Sequence, residues 1–123
     1  MDRVYTFWGK VQAGAKRGRA LGFPTANIPL HKQIPEGVYI SEITIKNKIY
    51  PAATFIGSAK TFGEKDYKSE TYILDFNQNI YGEWISIKLV KKIRGNKKFA
   101  GEKDLVEQMK KDSKEVKNYF EKS

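Results

Sequence analysis

The chain has 123 residues, a formal net charge of +9 at pH 7, no cysteine and one histidine. That length suits a single domain. The missing cysteines exclude disulfides, thiolate nucleophiles and cysteine-bound zinc, and the lone His31 excludes a histidine-pair metal site. The positive balance favours an anionic partner: nucleic acid, a phosphorylated small molecule or an acidic surface.

From the N-terminus, "MDRVYTFWGK" has no apolar run of signal-peptide type. Nowhere do about 18 consecutive apolar residues suggest a membrane span, so a cytoplasmic protein without membrane association is expected. "VYTFWGKV" (Val4 to Val11) reads as a first strand. "GVYISEITI" (Gly37 to Ile45), the turn "KNK" and "IYPAATFI" (Ile49 to Ile56) read as a hairpin. "ETYILDF" (Glu70 to Phe76) and "EWISIKLV" (Glu83 to Val90) flank "NQNIYG" as a second hairpin. Ile85, Ile87 and Leu89 alternate with Trp84, Ser86 and Lys88, so one face of that last strand is buried. The basic run "KKIRGNKK" reads as a loop, and Leu105, Met109, Val116 and Phe120 then fall at helical spacing. Such a helix would cap a barrel end. The pattern is all-β, a barrel or sandwich of five or six strands, within one domain over residues 1–123.

Three features can carry chemistry. "GAKRGRALG" spaces Gly14, Gly18 and Gly22 among Lys16, Arg17 and Arg19, so it is either a phosphate-cradling loop or a solvated turn; it is not a Walker A motif. It leads into "LGFPTANI", where Pro24 favours an extended chain that projects Thr25 and Asn27 to one side. Their oxygens suit a hard cation such as magnesium, or else they satisfy backbone groups in a turn. Glu70 heads a strand whose same face continues as Tyr72, Leu74 and Phe76, so either the strand frays there or the carboxylate stands at a barrel mouth. Asp75, on the other face, is a weaker candidate, and Glu64 and Asp66 read as solvated. A basic glycine loop, a Thr-x-Asn pair and a carboxylate together suit phosphoryl transfer from a nucleotide to a hydroxyl.

"LGFPTANI", "GVY", "SETYILDF", "IYGEW", "IRGNKKF" and "DLVEQMKKD" occur in the order found in riboflavin kinases, which the chain resembles over nearly its whole length. The resemblance implies a six-stranded antiparallel Greek-key barrel (about residues 3–95) with a C-terminal α-helix (about 102–121). It implies ATP-dependent phosphorylation of the riboflavin 5′-hydroxyl to FMN, with Mg2+ or another divalent cation. Thr25 and Asn27 match the family's metal and nucleotide-phosphate ligands, and Glu70 its general base. Gly14, Lys16, Gly18 and Arg19 match the loop over ATP, and the stretch around Arg94 and Phe99 matches the segment over the flavin. The partners implied are riboflavin/FMN and ATP/ADP, with no nucleic acid and a monomeric state. Bacterial relatives usually carry a nucleotidyltransferase domain with an HxGH-like motif, absent here, so FMN is the expected product. The chain departs from the family at Ala59 and Lys60, where an Arg-Pro turn is common, at Asn96, and at Tyr72, where histidine is common. A nucleic-acid-binding barrel, with aromatic residues displayed on an outer face, and a flavin-binding barrel without kinase activity are the competing readings.

Overall fold

Alternation sorts the side chains of the strands onto two faces, and the apolar set closes into an interior. The computed structural model of the protein describes residues 4–12, 25–30, 34–58, 67–76, 78–97 and 99–121. They form β1 (Tyr5–Lys10), β2 (Ala26–Pro29), β3 (Gly37–Ile45), β4 (Lys48–Ser58), β5 (Tyr67–Ile73), β6 (Trp84–Arg94) and α1 (Glu102–Glu121). All pairings are antiparallel, in the order β1-β6-β3-β4-β5-β2. β3, β4 and β5 are successive neighbours and β6 returns beside β3, which is the Greek-key arrangement.

The chain crosses the barrel seam just after β1. There the Val11 amide donates to the Glu83 carbonyl at 2.9 Å, and the next amide, of Gln12, donates to the Asn27 carbonyl at 2.8 Å. Gly9 permits the close approach, because a Cβ at that position would stand 2.5 Å from Cγ2 of buried Ile28. The expected all-β, nearly closed barrel of six strands with one C-terminal helix is the observed fold.

Phe7, Ile28, Ile43, Ile56, Ile85, Ile87 and Leu89 fill the interior. They share it with hydroxyls. Ser41 on β3, Thr54 on β4 and Thr71 on β5 are fully buried, and their oxygens are linked at 2.7 and 2.9 Å. The Ser69 hydroxyl donates to the Ile28 carbonyl at 3.0 Å. Buried hydroxyls are tolerated where each has a partner.

The first expected hairpin is observed, whereas several other expectations need correction. The first hairpin forms around Lys46 and Asn47, with φ of 49° and 69°, the positive values a type I′ turn demands. The expected second hairpin does not form, since β5 pairs with β4 and β2 while β6 pairs with β1 and β3. β5 begins at Tyr67 and ends at Ile73, and Phe76 packs on the interior cluster instead of extending Glu70's face. Residues 91–94, read as loop, continue β6 because pairing with β3 outweighs the weak strand preference of lysine. α1 lies against the outside of the wall rather than over a barrel end: Val116 packs with Ile40 and Leu74, flanked by Ala53 and Ile93. The helix covers the outer side of β3, so Val38 and Ile40 are buried there while Tyr39 and Ser41 are buried inside.

Candidate functional site

One row of cross-strand partners builds the site. Arg94 of β6 stands opposite Val38 of β3, Val38 opposite Phe55 of β4, Phe55 opposite Glu70 of β5, and Glu70 opposite Asn27 of β2. Opposed residues share a face, and the next residues along, Ala26 and Thr71 among them, turn inward; the row therefore runs along the outer wall. Register shifts between Val38 and Tyr39 and between Ile40 and Ser41 twist the end of β6, so consecutive residues Ile93 and Arg94 both reach helix side chains.

Above the row, between sheet and helix, lies a cleft of about 360 Å³. Val38, Phe55 and Tyr72 line its sheet side, Leu105 and Met109 its helix side, and Thr25, Glu70, Arg94 and Phe99 its rim and walls. A second cavity of about 330 Å³ opens at the barrel end, where Val11, Ala26, Ile73, Phe76, Ile80 and Tyr81 meet. Thr25 lines both. Two chambers therefore share one lining residue.

The structure brings together Thr25, Glu70, Arg94 and Phe99 around the cleft, with Asn27 beside Glu70 on the adjacent strand. Glu70 is the fourth residue of seven in β5, laddered to a strand on each side, so neither a frayed end nor a barrel mouth describes it. Its Oε1 lies 3.1 Å from Lys68 Nζ, and its side chain is 26% exposed. The predicted alternation holds around β2, with Ala26 in the interior cluster and Asn27 in the outer row. Asn27 is buried, and its Oδ1 has no hydrogen-bond partner among the described residues. Buried carbonyl oxygens are rarely left so, which makes this atom a candidate for a ligand contact.

Burial raises the Tyr72 phenol pKa above its ordinary 10.0, and the charge of Asp75 adds to the rise, so the group is a protonated donor throughout the neutral range. Asp75 itself is exposed, 3.9 Å from Lys117. Asn96 turns to the Ile56 carbonyl at 3.4 Å, whereas Lys97 and Phe99 line the cleft, with Lys97 Nζ 6.0 Å from the Phe99 ring centroid. Gly14, Lys16, Gly18 and Arg19 lie outside the described residues, as do Ala59, Lys60, Glu64 and Asp66.

Lys68, Gln108 and Asp112 escaped the sequence reading. Asp112 had a signal: Leu105, Met109, Asp112 and Val116 are spaced 4, 3 and 4 residues apart, so an acid occupies the buried stripe of the helix. For a metal, no group of three or more His, Cys, Asp or Glu occurs among the described residues. The neutral oxygens of Thr25 and the orphaned Asn27 Oδ1 fit a hard divalent ion that takes the rest of its shell from phosphates and water. Elsewhere, Trp8 and Trp84 are 70% and 65% exposed on the outer face of β1 and β6, with Trp84 opposite Lys10.

A sequence profile described as Flavokinase, riboflavin kinase, matches residues 1–120. The chain is 41% identical over 126 residues to the bifunctional riboflavin kinase/FMN adenylyltransferase of Bacillus subtilis, covering 98% of this chain and 40% of that protein. Among solved structures, riboflavin kinase from Trypanosoma brucei is 26% identical with a TM-score of 0.70, covering 98% of this chain and 82% of that one. A Streptococcus pneumoniae chain described as a macrolide-efflux protein is 36% identical with a TM-score of 0.84, covering 92% and 38%. Among the described residues of the present chain, no helix is long and apolar enough to cross a membrane.

Proposed function

The chain belongs to the riboflavin kinase family, and from that membership we propose that residues 1–123 act as a single kinase unit that phosphorylates riboflavin to FMN with ATP. The observation that carries the reading is the grouping of Thr25, which lines both chambers, with Glu70, which lines the cleft, and Asn27, the cross-strand partner of Glu70. The cleft between Phe55, Phe99, Leu105 and Met109 offers apolar walls to a planar flavin, and Glu70 and Tyr72 offer polar groups to its hydroxylated chain. The barrel-end cavity, with Phe76, Ile80 and Tyr81, is assigned to the nucleotide, and Thr25 then stands between the donor and acceptor groups.

In the proposed reaction Glu70 accepts the proton of the ribityl 5′-hydroxyl as that oxygen bonds to the γ-phosphorus of ATP. The bond from phosphorus to the β–γ bridging oxygen breaks, and ADP leaves. Glu70 points from a rigid mid-strand position, which favours a fixed angle of approach. Lys68, 3.1 Å from Glu70, keeps a cation beside the carboxylate. Thr25 and Asn27 would hold a divalent ion, which when bound neutralises charge on the transferring phosphoryl group. Apolar walls on both sides of the cleft limit water at the acceptor.

The test is chromatographic detection of FMN after incubation with riboflavin and ATP, with and without magnesium. FMN that forms only with the metal is the expected result; no FMN under any divalent ion would refute the reading. Displayed Trp8 and Trp84 favour a second reading, a single-strand nucleic-acid surface. It leaves the cluster at Thr25, Asn27 and Glu70 without a role, and salt-dependent oligonucleotide binding in the absence of FMN formation would establish it.

A further inference from the structure

The sequence reading gives Arg94 to the flavin, but its guanidinium is already engaged. Nε donates to Asp112 Oδ1 at 3.0 Å and Nη2 to Oδ2 at 2.8 Å, while Nη1 donates to the Gly95 carbonyl at 3.2 Å. Gln108 Nε2 adds a 3.0 Å bond to the same Oδ1. Asp112 is 6% exposed, so this forked pair forms largely out of water, where either partner alone would be left with an uncompensated charge.

The place of the pair on the helix gives it consequence. No residue of α1 before Asp112 is buried, and the next buried one is Val116, a turn further on. The pair is thus the innermost anchor of the helix half that carries Leu105 and Met109, and these face Val38 and Phe55 across the cleft. We propose that Asp112, steadied by Gln108, is a positioning residue for the flavin: by pinning Arg94 it sets the separation of the helix wall from the sheet wall, and so the thickness of the slot. The inference rests on the reading of this cleft as the flavin site. Glu70 and Asn27 stand on β5 and β2, whereas the Arg94–Asp112 pair joins β6 to α1, so loss of the pair bears on flavin binding and spares the transfer step.

Asp112→Asn keeps the size of the side chain and an acceptor for Gln108 while removing the charge. In steady-state assays of FMN formation the riboflavin KM rises at least about tenfold, equivalent to about 1.4 kcal/mol. Both kcat and the ATP KM stay within about twofold, the signature of lost binding that ground and transition states share. A merely structural role would lower the melting temperature and the apparent kcat and leave the riboflavin KM alone; that result overturns the proposal, as does an unchanged KM in a normally folded variant. Arg94→Lys, which keeps charge but cannot fork, raises the same KM. If Asp112→Asn does not fold, Gln108→Ala carries the test, with a rise of about threefold for one lost hydrogen bond expected and an unchanged KM overturning the role. Quenching of riboflavin fluorescence by the unmodified protein separates the two levels. A protein that neither binds riboflavin nor makes FMN overturns the cleft assignment and the proposal with it, whereas normal binding with unaltered variants overturns the role of Asp112 alone.

Discussion

Glu70→Gln exchanges one carboxylate oxygen for an amide at the centre of the cross-strand row, and its effects on stability and on rate should differ widely. The ion pair it removes joins side chains that are 38% and 26% exposed, so its loss costs at most about 1 kcal/mol once solvent screening is allowed for. The β5 ladder on both sides of Glu70 is made by backbone groups that the substitution leaves in place. For a domain of this size that stability change lowers the melting temperature by no more than about 5 °C. A positioned general base, by contrast, contributes about 10² to 10⁴ in rate, or roughly 2.7–5.5 kcal/mol of barrier. The assay is the rate of FMN formation at saturating riboflavin and ATP, with a melting curve on the same preparation. A folded Glu70→Gln protein with kcat within tenfold of the original would refute the assignment of Glu70 as the base.

Two further substitutions test other parts of the site and fold. Asn27→Leu removes a buried oxygen that has no partner among the described residues, so stability holds or rises by up to about 1 kcal/mol, read as an unchanged or higher melting temperature, while FMN formation falls at least about a hundredfold. A variant that is destabilised yet active would mean that the amide serves the fold. The Tyr39 hydroxyl donates to the Pro35 carbonyl at 2.6 Å, so Tyr39→Phe loses about 1 kcal/mol at neutral pH. Burial, with a smaller contribution from Tyr5, raises the Tyr39 pKa above 10.0, so the folded state keeps a proton that the unfolded chain releases above that pH. The stabilisation is full below pH 10.0 and is lost as pH rises through the folded value, which makes the alkaline fall in stability shallower in Tyr39→Phe. Urea unfolding at neutral and alkaline pH measures this, and parallel pH profiles for the two proteins would contradict it.

The legible parts of the fold were those in which one physical signal acted alone. β6 announced itself because Ile85, Ile87 and Leu89 face the interior while Trp84 and Lys88 face water. β5 was misplaced because its inward residues begin with Ser69 and Thr71, whose hydroxyls are satisfied by Ile28 and Thr54 and so mimic an exposed strand. The pairing of β6 with β3 is a long-range choice, and proximity in sequence pointed instead to β5. In the site, Thr25, Asn27 and Glu70 each had a plain structural use by residue type alone and were legible through the order of motifs shared with riboflavin kinases; the structure sets Asn27 opposite Glu70 and lines one cleft with Thr25 and Glu70. Arg94 was found, but the carboxylate that engages it was hidden among the lysines and glutamates of α1.

The three linked hydroxyls inside the barrel bear on how such a sequence can drift. Thr54 is the shared partner of Ser41 and Thr71, so Thr54→Val strands two buried oxygens at once, whereas Ser41→Ala or Thr71→Val leaves the two remaining hydroxyls bonded to each other. The positions are therefore epistatic: what each tolerates depends on what the others already carry. An apolar replacement of all three is a lesser burden than a replacement of the middle one alone, so a lineage leaving this arrangement by single steps is best served by changing an outer rung first. Descendants that keep Thr54 while varying at Ser41 or Thr71, and never the reverse in isolation, are the evolutionary trace such a constraint leaves.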